Sequence, residues 1–156
     1  MDEAAIRAAF LAACTLDVAA LKPGNVHRHA AGHGMTADDF IASAEAAAPA
    51  LCRAGSPLGQ RLFDAVVATR ATVGCNTNLG ILLLCAPQAV AAESGIAVAD
   101  VLGRLDMQDA ELAYRAIALA DLRGLGAAGE DDVRRPPRHG LIAAMALAAP
   151  RDRIAQ

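Results

Sequence analysis

Residues 73–85 read VGCNTNLGILLLC. Three hydrogen-bonding side chains, Asn76, Thr77 and Asn78, stand directly before one of the most apolar runs in the chain. The run shows no strand-like alternation, and a helix that is apolar all round belongs at the centre of a bundle. It is expected to be helical over about 77–92, which makes the polar knot the mouth of a central helix. The first turn of any helix leaves backbone N–H groups in need of partners. Asn76 or Thr77 can cap them, and that is one reading. The other is a ligand site. One cap suffices, yet three polar side chains compete here, Gly74 and Gly80 keep the backbone approachable, and a buried helix N-terminus with spare donors suits phosphate. Spacing alone leaves both open.

The rest of the composition agrees with helices. Hydrophobic residues make up 55% of 156 residues but aromatics only 3%, so the core must be built from Ala, Leu, Val and Ile. Alanine is the best helix former, and small side chains let helices approach closely. The fold class is therefore all-α, a multi-helix bundle with a central apolar helix, and the length suits a single α-helical domain over 1–156. Helices are expected at about 3–21, from Thr36 to about Arg53, from a Ser56–Pro57 start to Gly74, and then at 77–92, 97–104, 107–122 and 140–149. Thr36 and Asp39 have capping-box spacing, and Leu58, Leu62, Val66 and Thr69 form one stripe of the third helix. Between the last two helices lies RGLGAAGEDDVRRPPRHG, a long loop of the kind that is usually functional or mobile.

A net charge of −3 argues against a nucleic-acid binder, which needs a basic surface. The N-terminus lacks the cationic start and apolar core of a signal peptide. Residues 79–92 are too short to span a bilayer. Cys14, Cys52, Cys75 and Cys85 show no C-x-x-C spacing and read as reduced thiols rather than disulfides or zinc ligands. A cytoplasmic protein without membrane or nucleic-acid partners is the simplest fit.

Two further signals point to chemistry. Asp17 falls within about 20° of Ile6 and Phe10 on a helical wheel, where a carboxylate is costly unless paired or bound to a cation. A first helix that ends early would instead leave Asp17 in solvent. Lys22 is the only lysine beside thirteen arginines, a compact and mobile ammonium where the chain otherwise chooses a guanidinium. It opens the loop Lys22–Pro23–Gly24–Asn25, which is followed by His27, His29 and His33. The histidine spacing matches no standard zinc pattern. An anion-binding loop fits better, with charge from Lys22, orientation from Asn25 and close backbone approach at Gly24. Glu130, Asp131 and Asp132 form an acidic run that reads as solvated surface or as a Mg²⁺ contact.

At these residues the sequence resembles a known family. LKPGNVHR, then GHGM, then VGCNTNLG are similar to the K-P-G-x-V, G-A-H-x-D-M and G-x-N-T-H-K-G motifs of the triphosphoribosyl-dephospho-CoA synthases. AYRAIALADLRGLG followed by DVRRPP resembles a later family segment, and the order is kept along nearly the whole chain. The resemblance implies an all-helical transferase that moves the triphosphoribosyl group of ATP onto 3′-dephospho-CoA or a related acceptor and releases adenine. The product is a prosthetic-group precursor.

The resemblance also implies roles for residues. Lys22, Gly24 and Asn25 would contact phosphate or ribose, and His33 matches the family's G-A-H histidine. Asn76, Thr77, Asn78 and Gly80 would cradle the nucleotide, with Asp17, Lys22 and Asn78 as the catalytic set. Asp17 and Asp132 are the candidate Mg²⁺ contacts, with Mg²⁺ arriving alongside ATP and no tightly bound organic cofactor expected. Asn78–Leu79 stands where the family has His-Lys, a form similar to the branch linked to one-carbon metabolism. The chain is also shorter than family members, corresponding to their N-terminal half or somewhat more. That length leaves a catalytically inactive nucleotide- or CoA-binding fragment, or a helical assembly module, as alternatives. It also raises a homo-oligomer, or a missing C-terminal half, as the means of covering apolar faces.

Overall fold

A computed structural model describes residues 1–21, 26–32, 34–120 and 132–150. Among these, seven helices form in chain order: α1 (Glu3–Ala19), α2 (Ala37–Leu51), α3 (Leu58–Val73), α4 (Leu79–Ser94), α5 (Val98–Gly103), α6 (Met107–Leu119) and α7 (Leu141–Ala148). No β-strand forms among the described residues. Two isolated bridges, His27 with Ala30 and Gly32 with Met35, tighten the segment after α1. The chain is all-α, as its composition requires.

Local chemistry sets most of the helix ends. Asp2 caps α1 by accepting from the Ala5 amide at 2.7 Å. Thr36 and Asp39 form the expected capping box at the start of α2, each side chain accepting from the other's backbone N–H. Asp106 and Asp109 repeat that arrangement at α6. Gly74 ends α3 with φ +72°, a left-handed conformation that glycine takes without the penalty of a Cβ. The expected Ser56 cap of α3 does not form. Pro57 occupies the N-cap position without a side-chain hydrogen bond, and the Ser56 carbonyl instead accepts from Arg61 Nε at 2.8 Å. A buried guanidinium has claimed the backbone there.

The core is an alanine-and-leucine interior. α1 contributes Ile6, Phe10, Cys14 and Val18, each four residues after the last. α3 buries Leu58, Leu62, Val66 and Thr69, as its stripe predicts, and packs against α2, α4 and α6. α3 and α6 come together at Gly59, where a Cβ would lie 2.7 Å from the Asp109 Cα. α4 contacts α1, α2, α3 and α5 and buries Leu79, Leu82, Ala86, Pro87, Ala89 and Ala91. It is not covered all round, however, since Leu84 is 50% exposed. The four cysteines are free thiols, with Cys14 and Cys52 buried. Burial foremost, and then the neighbouring Cys85 and Asp17, push the Cys14 thiol up to about 11, which leaves it protonated and unreactive at neutral pH.

This packing positions one feature for function. It brings the C-terminal half of α3, the N-terminal half of α2 and the mouth of α4 together around residues 76–78.

Candidate functional site

Each of the three polar residues before α4 has a different task. Asn76 lies outside the helix and reaches forward, its Oδ1 accepting from the Leu79 amide at 3.1 Å. It is the cap that the sequence anticipates. Thr77 turns toward α2 and donates its hydroxyl to Ser43 Oγ at 2.5 Å. Ser43 is fully buried, and its own hydroxyl donates to the Asp39 carbonyl at 2.6 Å. Asn78 occupies the N-cap position but makes no side-chain cap. Its Oδ1 accepts instead from Thr69 Oγ1 of α3 at 3.2 Å.

The consequence falls on Asn78. The residue is 5% exposed, and its Nδ2 is buried with no hydrogen-bond partner. An unsatisfied buried donor costs about 1–3 kcal/mol. Beside it the amides of Gly80 and Ile81 form no hydrogen bond among the described residues, because the N-cap side chain that would ordinarily accept from them faces α3. The mouth of α4 therefore holds several N–H groups without a partner among the described residues, at the positive end of a sixteen-residue helix. Gly80 presents no Cβ there.

The other predicted residues are more dispersed. Asp17 lies within α1, which runs on to Ala19, so the early-ending helix that would free it does not occur. It is half-buried rather than in the core, because the buried stripe drifts around the helix and reaches Val18 instead. Its charge acts on the Cys14 thiol. Asp132 is nearly buried, but Arg134 holds both of its oxygens. Oδ1 accepts from the Arg134 amide at 3.0 Å and from Nε at 2.8 Å, and Oδ2 accepts from Nη2. These hydrogen bonds hold the Asp132 carboxyl down at about 2. His27 and His29 are neighbours, with ring centroids 6.1 Å apart and the His29 amide donating to His27 Nδ1. Among the described residues no three His, Cys, Asp or Glu side chains gather as a metal site. Lys22, Gly24, Asn25 and His33 lie outside the described residues, as do Glu130 and Asp131.

Sequence reasoning passed over Ser43 and Thr69 as site residues. Thr69 carried a signal, being a hydroxyl on an otherwise apolar stripe, which must find a partner once buried. Ser43 offered less, since a serine in an alanine-rich helix can bond its own backbone, as this one also does.

Comparison with known proteins bears on these residues as a set. A sequence profile of the ATP:dephospho-CoA triphosphoribosyl transferase (CitG) family matches residues 3–156. The chain belongs to that family. Membership makes this ATP:dephospho-CoA triphosphoribosyl transferase homologue a transferase and implies ATP and dephospho-CoA as its substrates. No curated protein and no solved structure matches it. Among the described residues of this family member, no helix is long and apolar enough to cross a membrane.

Proposed function

We propose that the chain transfers the triphosphoribosyl group of ATP to dephospho-CoA or a close relative, and that the mouth of α4 holds the nucleotide. One observation carries the placement: the buried, unpartnered Nδ2 of Asn78 beside the open amides of Gly80 and Ile81. Donors left unsatisfied at the positive end of a helix suit an acceptor-rich ligand, and a nucleotide is one. Asn76, Thr77, Asn78 and Gly80 would cradle it. By family resemblance Lys22, Gly24, Asn25 and His33 would add phosphate and ribose contacts.

In this reading the bond from the anomeric carbon to adenine breaks as the acceptor's hydroxyl oxygen bonds to that carbon. Positive charge develops on the sugar, as in glycoside cleavage. The protein's part is to hold both substrates in line and to take up the hydroxyl proton, for which Asp17 is the candidate base, while adenine leaves with the electron pair of the broken bond and gains a proton. Mg²⁺ would offset the charge of the triphosphate. Both Asp132 oxygens are held by Arg134, so a cation there would have to displace that pair. A cation held mainly by phosphate oxygens needs only one or two protein carboxylates.

Calorimetric titration with ATP·Mg²⁺ tests the reading. Binding is expected, with adenine released once dephospho-CoA is added. No heat at millimolar nucleotide would sink the proposal, and binding without adenine release would reduce the chain to a nucleotide-binding module.

A further inference from the structure

We propose that Thr77 reads a ribose hydroxyl rather than a phosphate, and that Ser43 is the positioning residue that makes it do so. The inference rests on the nucleotide reading above and adds the polarity of one contact.

The Asp39 carbonyl can only accept, so the 2.6 Å contact from Ser43 Oγ uses the one hydroxyl proton that serine has. The 2.5 Å contact between Ser43 and Thr77 must then be bridged by the Thr77 proton. Thr77 has no second proton. Toward a ligand its Oγ1 offers lone pairs alone, which repel phosphate oxygens and welcome an O–H. Ser43 is fully buried and Thr77 half-buried, so α2 fixes the relay from behind while the threonine stays within reach. Asn78 is oriented in the opposite sense. Thr69 donates to its Oδ1, and Nδ2 remains to donate. Residues adjacent in the chain therefore carry one spare acceptor and one spare donor, a pairing that suits a hydroxyl group, which both donates and accepts. A triphosphate, being all acceptor, would leave the Thr77 lone pairs opposed.

Both substrates implied by the family carry ribose, so the experiment separates them. ATP, its 2′- and 3′-deoxy analogues, inorganic tripolyphosphate and dephospho-CoA are each titrated into the wild-type chain and into Thr77→Val, Thr77→Ser and Ser43→Ala. Loss of one neutral hydrogen bond corresponds to about fivefold in affinity. In Thr77→Val, ATP is expected to bind about fivefold more weakly, no better than one deoxy analogue, with tripolyphosphate unchanged. Thr77→Ser should restore the preference for ATP. Ser43→Ala should relax that preference, because the freed threonine hydroxyl can turn and donate. The same pattern with dephospho-CoA in place of ATP would assign the contact to the acceptor's ribose and equally support the inference. Equal weakening of ATP and tripolyphosphate in Thr77→Val would show a phosphate contact and overturn it. So would unchanged affinity for every ligand. A wild-type chain that binds tripolyphosphate but not ATP better than its deoxy analogues overturns this inference alone, whereas one that binds none of these ligands overturns the nucleotide reading too.

Discussion

Asn78 separates the requirements of folding from those of binding. As a donor without a partner it costs about 1–3 kcal/mol, while its single bond to Thr69 returns about 1 kcal/mol. Asn78→Leu is therefore expected to leave the unfolding free energy within about 1 kcal/mol of wild type, measured by urea denaturation. Thr69 can then satisfy itself on the backbone one turn earlier, as buried helical threonines do. ATP affinity should fall about fivefold in the same variant, the loss of one neutral hydrogen bond to the ligand. A residue serving only as a structural cap would show the reverse, with stability lost and affinity kept. The sequence placed Asn76, Thr77 and Asn78 together and offered Asn76 or Thr77 as the cap, which the structure shows to be Asn76. It could not say which way the other two turn, because their partners Ser43 and Thr69 lie 34 and 9 residues away.

The elements follow local rules where a cap or a glycine is present, and tertiary contacts decide the remainder. The Thr36–Asp39 box and the Gly74 stop are where the residue pattern predicts them. At the N-terminus of α3 the Ser56 cap is not made, and a long side chain, Arg61, reaches the Ser56 carbonyl. α3 and α6 cross at Gly59, whose amide donates to Asp109 Oδ1 at 2.8 Å. A methyl group there meets the Asp109 backbone, at 2.7 Å from Cα and 2.9 Å from the carbonyl oxygen, and backbone does not step aside as a flexible side chain does. Gly59→Ala should cost about 2–3 kcal/mol, the upper part of the range for overpacking, despite the better helix propensity of alanine. Chemical denaturation measures it. An unchanged midpoint would mean that the two helices separate freely.

Across the whole molecule, one ionic clamp ties α1, the α2–α3 turn, α3 and α4. Arg61 is 1% exposed and pairs with Glu93 near the end of α4, while its Nη1 bonds the Leu51 carbonyl. Glu93 Oε1 also accepts from the Gly55 amide at 2.7 Å, and Glu3 from the Ala54 amide at 3.0 Å. The hydrogen bonds from Arg61 and Gly55 draw the Glu93 carboxyl below its ordinary value. A carboxyl lowered on folding contributes stability that is whole above its unfolded value, near 4.5, and lost as pH falls through its folded one. Glu93→Gln should thus cost about 3 kcal/mol at pH 7, because it strands a buried guanidinium. The gap from wild type should narrow below about pH 4, as thermal melts across pH would show. A gap independent of pH would assign the loss to packing. The residue pattern by itself determined the all-α class, the Thr36–Asp39 cap, the Gly74 stop and the α3 stripe, because periodicity and capping act within a few residues. It also determined family membership through motifs spread along the chain. Only the tertiary structure decided that α4 keeps one side open, that Arg61 reaches into the α2–α3 turn, and that Thr77 and Asn78 turn toward Ser43 and Thr69. Those outcomes depend on which groups from distant segments share one buried volume, and hydrogen bonds there form with whatever partner packing brings within 3 Å or so.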